Sequence, residues 1–373
     1  MFPFKKYSIK NYDFSLLTLV LVLSVLGIYL VRIAQEGLFL KQIMGLALGL
    51  MIVAVVSMID YHFISQFYIV LYFINLILLV AVRLFGVEHH SSRRWLDFKV
   101  FEFQPSELTK IILIIFMARL LMIFKDKMKK FYVLLLTGVL MGIPTFLILI
   151  QTNLSTSLVI LFIFAIMIFA GGLSLKVILP ILLTVIPIII GTLWGIQNNY
   201  DIFFLTDYQQ NRIEAFMNPE SDQSSAALYQ QENSVEVIGS GKLTGKLFSE
   251  GKDAIQSDTY VPISESDFIF SVAGESLGFI GGLVIIMLLS IIIFKCLIIA
   301  SHAPDRLGRL IAIGISAMFV FQMFVNIGVA TKLLPNTGIP LPFVSYGLSS
   351  MMSSMIAIGI IININLQRKF RRG

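Results

Sequence analysis

Apolar residues in this chain fall into blocks of about 20, the length at which a helix rising 1.5 Å per residue covers the roughly 30 Å of a bilayer's hydrocarbon. Ten such blocks are predicted as membrane-crossing helices, over 14–33, 38–58, 65–85, 106–124, 131–150, 156–174, 177–195, 267–299, 307–332 and 344–365. The first follows Lys5, Lys6 and Lys10, and no small-residue cleavage pattern ends it, so it reads as a span and not as a leader. The eighth is overlong and is expected to tilt or to begin outside the hydrocarbon. Between the seventh and eighth blocks lies one long polar loop, 197–265, which runs straight into Ser266-Asp267-Phe268-Ile269-Phe270. The pattern predicts an all-α integral membrane protein: about ten transmembrane helices in a single polytopic unit, 1–373, with one large extracytoplasmic loop between spans seven and eight.

Basic residues set the orientation. Lys5, Lys6 and Lys10, then Lys125, Lys127, Lys129 and Lys130, then Arg306 and Arg309, then Arg368, Lys369, Arg371 and Arg372 all fall on one side of the predicted spans. The positive-inside rule makes that side the cytoplasm, with both termini there. The long loop is then external, and it carries eleven acidic residues against four basic ones.

Composition agrees: mean hydropathy is +0.89, with 57% hydrophobic and 13% charged residues, too apolar for a soluble domain. The net charge of +6 is spent at span ends, which argues against a nucleic-acid partner. The single Cys296 lies in an apolar run with no base in view, and no Cys/His spacing suits a structural metal. No internal repeat of the kind that marks many transporters is visible.

Four stretches carry candidate chemistry. Arg94 and Trp95 precede Gln104-Pro105-Ser106-Glu107, a helix start whose Glu107 suits the positive end of the dipole and lies one turn from Lys110. An interfacial Trp anchors, and an Arg can hold a phosphate. In the loop, Gly239-Ser240-Gly241-Lys242 and Gly245-Lys246 fit a phosphate-cradling loop only in part, leaving Lys242 and Lys246 as candidate partners for an external pyrophosphate. Its Gln- and Ser-rich stretch near 221–233 is expected to be mobile. Asp267 begins the eighth block, and Glu275 lies two turns deeper, where it needs a partner; Lys332 and Lys110 are the candidates. Finally, Leu333 to Gly347 contains Pro335, Pro340 and Pro342, which forbid a continuous helix, so the segment, with Ser345, is expected to wall a cavity near the outer surface.

These stretches, in this order, resemble the SEDS family of RodA, FtsW and SpoVE proteins over nearly the whole chain. The resemblance rests on Arg94-Trp95, Gln104-Pro105-Ser106-Glu107 with Lys110, Gly239-Ser240-Gly241, Ser266-Asp267-Phe268-Ile269-Phe270, Gly274-Glu275-Ser276-Leu277-Gly278-Phe279, and Asn326-Ile327-Gly328 through Pro340-Leu341-Pro342-Phe343-Val344-Ser345-Tyr346-Gly347. The short ends look more like RodA than FtsW. The resemblance implies an inverting peptidoglycan glycosyltransferase that polymerises lipid II beside a class B penicillin-binding protein. Asp267 would be its general base, and Arg94, Trp95, Glu107, Lys110, Lys242, Lys246, Glu275, Lys332, Pro340 and Ser345 its substrate-binding set. The leaving pyrophosphate would meet Arg94, Lys110, Lys242 or a divalent cation (Mg2+ or Mn2+), although the sequence itself points to no metal site.

The chain departs from the family pattern at Asn153, where the family has Asp, at Glu265-Ser266, where it has His-Thr, and at Ser276 and Leu348. Two rival readings follow: a lipid II flippase, in which Asp267 is dispensable, and a non-catalytic scaffold for the transpeptidase.

Overall fold

The computed structural model describes residues 11–89, 92–97, 102–127, 130–173, 183, 187, 190–192, 194–198, 200, 207–217, 225–251, 254–255 and 261–368. Helices form where the apolar blocks predict them, and polar residues fix their ends. α1 (Phe14–Ala34) is capped by Asp13, whose carboxylate accepts from the Leu16 amide at 2.9 Å. α2 (Phe39–Met58) leads through a short α3 (Tyr61–Gln66), capped by Asp60, into α4 (Tyr68–Phe85). α5 (Pro105–Ile123) starts with proline at a position whose N–H would have no intrahelical partner anyway. α6 (Phe131–Ile150) and α7 (Leu154–Ala170) follow. Within the loop lie α8 (Asp207–Met217), α9 (Ser225–Ser240) and α10 (Lys246–Ser249). α11 (Ile269–Ser301), α12 (Arg306–Ala330) and α13 (Leu348–Leu366) complete the bundle.

Among the described residues, seven helical stretches are long and apolar enough to cross a membrane. α5 falls outside that set because it carries Glu107, Lys110 and Arg119, and α7 because it has 17 residues. The block predicted at 177–195 lies mostly outside the described residues. The chain is mostly helical but not all-α: between α4 and α5, β1 (Val87–His89), β2 (Ser92–Asp97) and β3 (Glu102–Phe103) pair antiparallel in that order. That connection has no apolar run to bury as a helix, so its backbone groups find partners across strands.

α5 occupies the centre, buried nearly all round and packed by α4, α6, α7, α12 and α13. Lipid offers apolar helices no hydrophobic reason to associate, so close packing and interhelical hydrogen bonds must hold such a bundle. α2 and α13 approach through Gly45 and Gly49, where a Cβ would come within 2.8 Å of Leu348 and 2.7 Å of Met355. Buried amides supply the polar links. Asn363 accepts from the Tyr61 amide at 3.0 Å and donates to the Ser57 carbonyl at 2.8 Å; Gln151 donates to Leu79 and Gln42 to Ser345. Such bonds average about 0.6 kcal/mol each.

At the basic end, His62 sits between two carboxylates, 2.8 Å from Asp60 and 2.5 Å from Asp305. Asp305 also accepts from the Tyr61 hydroxyl at 2.8 Å, and Gln367 donates to Asp60 at 3.0 Å. The α2–α3 and α11–α12 connections and the end of α13 are thereby tied at one point. The hydrogen bond to Asp305 is the main reason that His62 holds its proton above the ordinary imidazole range, and the bonds converging on Asp60 and Asp305 keep both below the usual carboxylate range despite partial burial.

α11 is two helices in series. Gly278 has φ 68 and ψ −167, a conformation that disfavours any side chain, and it separates Ile269–Leu277 from the rest. Residues 279–301 alone rise about 34 Å, enough to span. The excess length of the eighth block thus corresponds to a break, with Ile269–Leu277 set off from a segment long enough to span by itself. The break frees amides that the loop recaptures: Phe279 donates to the Lys242 carbonyl at 2.9 Å and Ile280 to that of Leu243 at 3.2 Å. Gly241 lies so close to this helix that a Cβ would meet the Gly274 carbonyl at 2.0 Å.

Candidate active site at the loop end of the bundle

Asp267 is the side chain around which this end is organised. It sits in the turn before α11, and its neighbours fix the backbone rather than the carboxylate. Asn326 of α12 donates to the Asp267 carbonyl at 2.9 Å and to that of Ile339 at 2.7 Å, binding the turn to the proline-rich segment. Ser345 donates to the Ser266 carbonyl at 2.6 Å and accepts from the Leu341 amide at 2.8 Å, while the Tyr346 amide donates to Glu265 at 2.9 Å. The segment 331–347 is thus irregular and largely buried, as its prolines predict, and Ser345 acts as its pin. Pro340 lies within this wall, half-buried.

The carboxylate itself rests against Gly338, whose φ is 74; a Cβ there would be 3.0 Å from Asp267 Oδ2. Burial raises the Asp267 carboxyl above the ordinary carboxylate range, and Arg212, Arg94 and the 3.3 Å hydrogen bond from Ser266 pull it partly back. Glu265 is raised as well, chiefly by burial and then by the Asp267 charge. Two carboxylates this close disfavour each other's ionisation, so their titration belongs to the pair.

Beside Asp267 opens a small cavity of about 30 Å³, roughly the room of one water, lined by Arg94, Arg212, Thr152, Ser155, Asn336 and Thr337 among others. Arg94 comes from β2 and donates to the Thr152 carbonyl; Arg212 comes from α8 and donates to the Asn336 carbonyl at 3.3 Å. Ser155 closes one side by donating to the Thr337 carbonyl. Among the described residues, Asn336 Oδ1 and Thr337 Oγ1 are buried without a hydrogen-bond partner, an arrangement that a polar ligand would satisfy.

Arg212 was not among the residues predicted from sequence. The signal available was that it is the sole arginine of 197–265, in a segment otherwise rich in acids. Trp95 follows Arg94 on a strand, so it faces the opposite side; it pairs with Val87 and does not line the cavity.

Glu107 and Lys110 are buried together inside the bundle: the ammonium lies 2.8 Å from both carboxylate oxygens, with side chains 3% and 2% exposed. Ser353 lies 3.4 Å from Glu107. Lys110 is thereby committed to its own helix. Asn153, where the family resemblance expects Asp, caps α7 by accepting from the Thr156 amide at 3.1 Å, a task an amide oxygen performs as well as a carboxylate.

Glu275 takes neither partner proposed for it. Its fully buried carboxylate lies 2.6 Å from Lys246, because Gly241 and Gly245 bring the loop hard against α11. Lys332 instead makes an exposed pair with Glu232 at 2.9 Å. Lys246 is therefore spent on Glu275, and no phosphate-cradling loop forms around it. Lys242 is exposed at the α11 break, and the cations that act on Asp267 are Arg212 and Arg94. Of the stretch near 221–233 expected to be mobile, 225–233 is helical and 221–224 lies outside the described residues. Gln231 donates to the Val329 and Leu334 carbonyls at 3.0 and 2.8 Å, and Ser234 to Ala330 at 2.6 Å, so α9 caps the end of α12.

Among the described residues no three His, Cys, Asp or Glu side chains converge, and Asp267 has the Glu265 carboxylate beside it and the guanidinium groups of Arg212 and Arg94 as its cations.

Comparison with known proteins follows this geometry. The chain is 34% identical over 379 residues to the probable peptidoglycan glycosyltransferase FtsW of Trichlorobacter lovleyi, covering 97% of this chain and 95% of that one. It is 33% identical over 356 residues to the peptidoglycan glycosyltransferase MrdB of Escherichia coli K12, covering 95% and 92%. A chain from a peptidoglycan synthase complex, solved for its coordination of polymerization and crosslinking, superposes with a TM-score of 0.79 at 25% identity, covering 95% and 97%. The cell cycle protein family of FtsW, RodA and SpoVE matches residues 9–370, so the chain belongs to that family and is a multi-pass membrane protein.

Proposed function

We propose that this chain is a peptidoglycan glycosyltransferase that polymerises lipid II at the outer face of the cytoplasmic membrane, with both termini in the cytoplasm and about ten spans. The observation that carries the reading is a half-buried carboxylate, Asp267, whose turn is held by Asn326 and Ser345 and which faces Arg212 and Arg94 beside the small cavity that those arginines line. The relatives' glycosyltransferase names support the same class of reaction.

In the proposed step, the 4-hydroxyl oxygen of an acceptor GlcNAc attacks the anomeric carbon of a donor MurNAc. Its proton passes to Asp267, the bond to undecaprenyl pyrophosphate breaks, and configuration at that carbon inverts. A carboxylate whose proton affinity is raised by burial suits a base near neutral pH. Arg94 and Arg212 face the cavity from two different elements, and guanidinium forks match the oxygens of a departing pyrophosphate. Any divalent cation then enters with the pyrophosphate, as part of the substrate. Glu107–Lys110 and Glu275–Lys246 hold the helices that carry the site, and neither pair touches the reacting atoms. A class B penicillin-binding protein is the expected partner, in keeping with the synthase complex that the fold resembles. The similarity is even between FtsW and MrdB, so it favours neither division nor elongation.

The test is polymerisation of labelled lipid II by purified protein with its cognate transpeptidase. Wild type should form strands, and Asp267→Asn, folded and partner-bound, should form none. Strands from the variant would overturn the assignment. Lipid translocation by both forms would favour the flippase reading, and partner binding alone would favour the scaffold.

A further inference from the structure

We propose that the groove beside the α11 break is a binding site for an anionic phospholipid, with one acyl chain in the groove and the phosphate on Lys242. The groove lies between α1 and α11 and measures about 300 Å³; Leu26, Thr244, Phe248, Leu277, Ile280 and Val284 line it, so Thr244 supplies the only polar side chain among them. It exists because α11 is broken at Gly278 and carries no side chain at Gly281.

Depth in the membrane favours a lipid. Residues 279–301 supply the full rise of a span, so the break lies at the headgroup level and the groove just beneath it. The loop joins the membrane face here: Leu243 is 61% and Phe248 75% exposed, apolar side chains that water would not favour. Lys242 is set at this level by its own backbone, whose carbonyl accepts from Phe279. Its φ of 52 is unusual for a lysine, and its exposed side chain makes no ion pair or hydrogen bond among the described residues. Lys242 lies two residues from Thr244 of the lining, and a cation beside an apolar groove is complementary to a phosphate-headed lipid. Size argues against a partner's helix: at 10–12 Å across, a single turn of helix occupies about 500 Å³. The site does not depend on the glycosyltransferase reading, since it uses only the membrane placement of α11.

The lipid would press the 241–245 turn onto the half-helix that the turn caps, and that turn also bears the Lys246 partner of Glu275. Occupancy should therefore hold the loop on the bundle.

The test uses full-length protein in phosphatidylcholine nanodiscs doped with phosphatidylglycerol carrying a photoactivatable acyl chain, with labelled peptides mapped by mass spectrometry. Labelling is expected on 277–284 and on Phe248, displaced by unlabelled phosphatidylglycerol and not by phosphatidylcholine. It should fall at least five-fold in Lys242→Gln and in the groove-filling Val284→Trp. Equal labelling by a photoactivatable phosphatidylcholine, or none at these positions in wild type, overturns the proposal. Displacement by undecaprenyl pyrophosphate but not by phosphatidylglycerol reassigns the groove to a polyprenyl chain. Loss of labelling on adding the single-span transpeptidase assigns it to a protein helix.

Discussion

Replacing Lys246 by Met tests the central correction that the structure makes to the sequence reading. Glu275 has no exposed side-chain surface and Lys246 only 13%, so the substitution removes the cation from a buried pair. Removing one member of a buried pair costs about 3–5 kcal/mol, two to four powers of ten in the folding equilibrium. Lys332→Met is the matched control, because its pair with Glu232 is 31% and 52% exposed and pairs of that kind are worth about 0–1 kcal/mol. Removing both charges, as Lys246→Met with Glu275→Leu, replaces the buried pair by apolar side chains and should recover most of the loss. Thermal and denaturant unfolding in detergent, followed by tryptophan fluorescence and by aggregation, reads all four proteins. A loss below about 1 kcal/mol for Lys246→Met, or an equal loss for Lys332→Met, would refute the reasoning. So would a double variant no more stable than the single one, since that would place the cost in lost packing of the lysine stem.

Other consequences follow from the site and the basic end. As a general base Asp267 must be ionised, so polymerisation should fall as pH drops, with a midpoint above the usual Asp value near 3.9; Glu265→Gln removes a like charge and should move that limb to lower pH. A raised carboxyl favours the protonated folded state, so Asp267 costs stability as pH rises through its folded value. Asp267→Asn should therefore unfold at higher temperature than wild type at pH 7, with the difference vanishing in acid. Gly338→Ala combines a positive φ, worth about 1 kcal/mol of strain, with a methyl group against Oδ2; activity should drop by about 100-fold while the protein remains folded. His62 shows the same sign of pH dependence as Asp267, in a higher window: its raised imidazole contributes stability below its ordinary value near 6.5 that is lost as pH rises through the folded one. Melting temperatures from pH 6 to 9 should decline more in wild type than in His62→Gln.

The helical frame was legible because a bilayer imposes a length on each span, and the ends drift by only a few residues: 131–150 coincides with α6, while 156–174 becomes Leu154–Ala170. Asp267 was legible from its place at a loop–span junction, and the wall from its prolines. Pairings were less so. Glu107 and Lys110 lie one turn apart on one helix, where spacing alone brings them together. Glu275 and Lys246 are 29 residues apart across a turn whose course depends on glycines fitting against α11, which no local period reveals. Arg212 depends in the same way on where α8 docks. The break at Gly278 left a trace in the excess length of the eighth block, though not its position.

The wall around Asp267 also has a biosynthetic consequence. A chain emerging N-terminus first exposes the carboxylate, the loop and the start of α11 well before Asn326, Gly338 and Ser345 exist to seat them. Until α12, α13 and their connection are made, the turn that bears Asp267 lacks the contacts that fix its shape. Chains truncated anywhere between 301 and 346 should be inserted but inert.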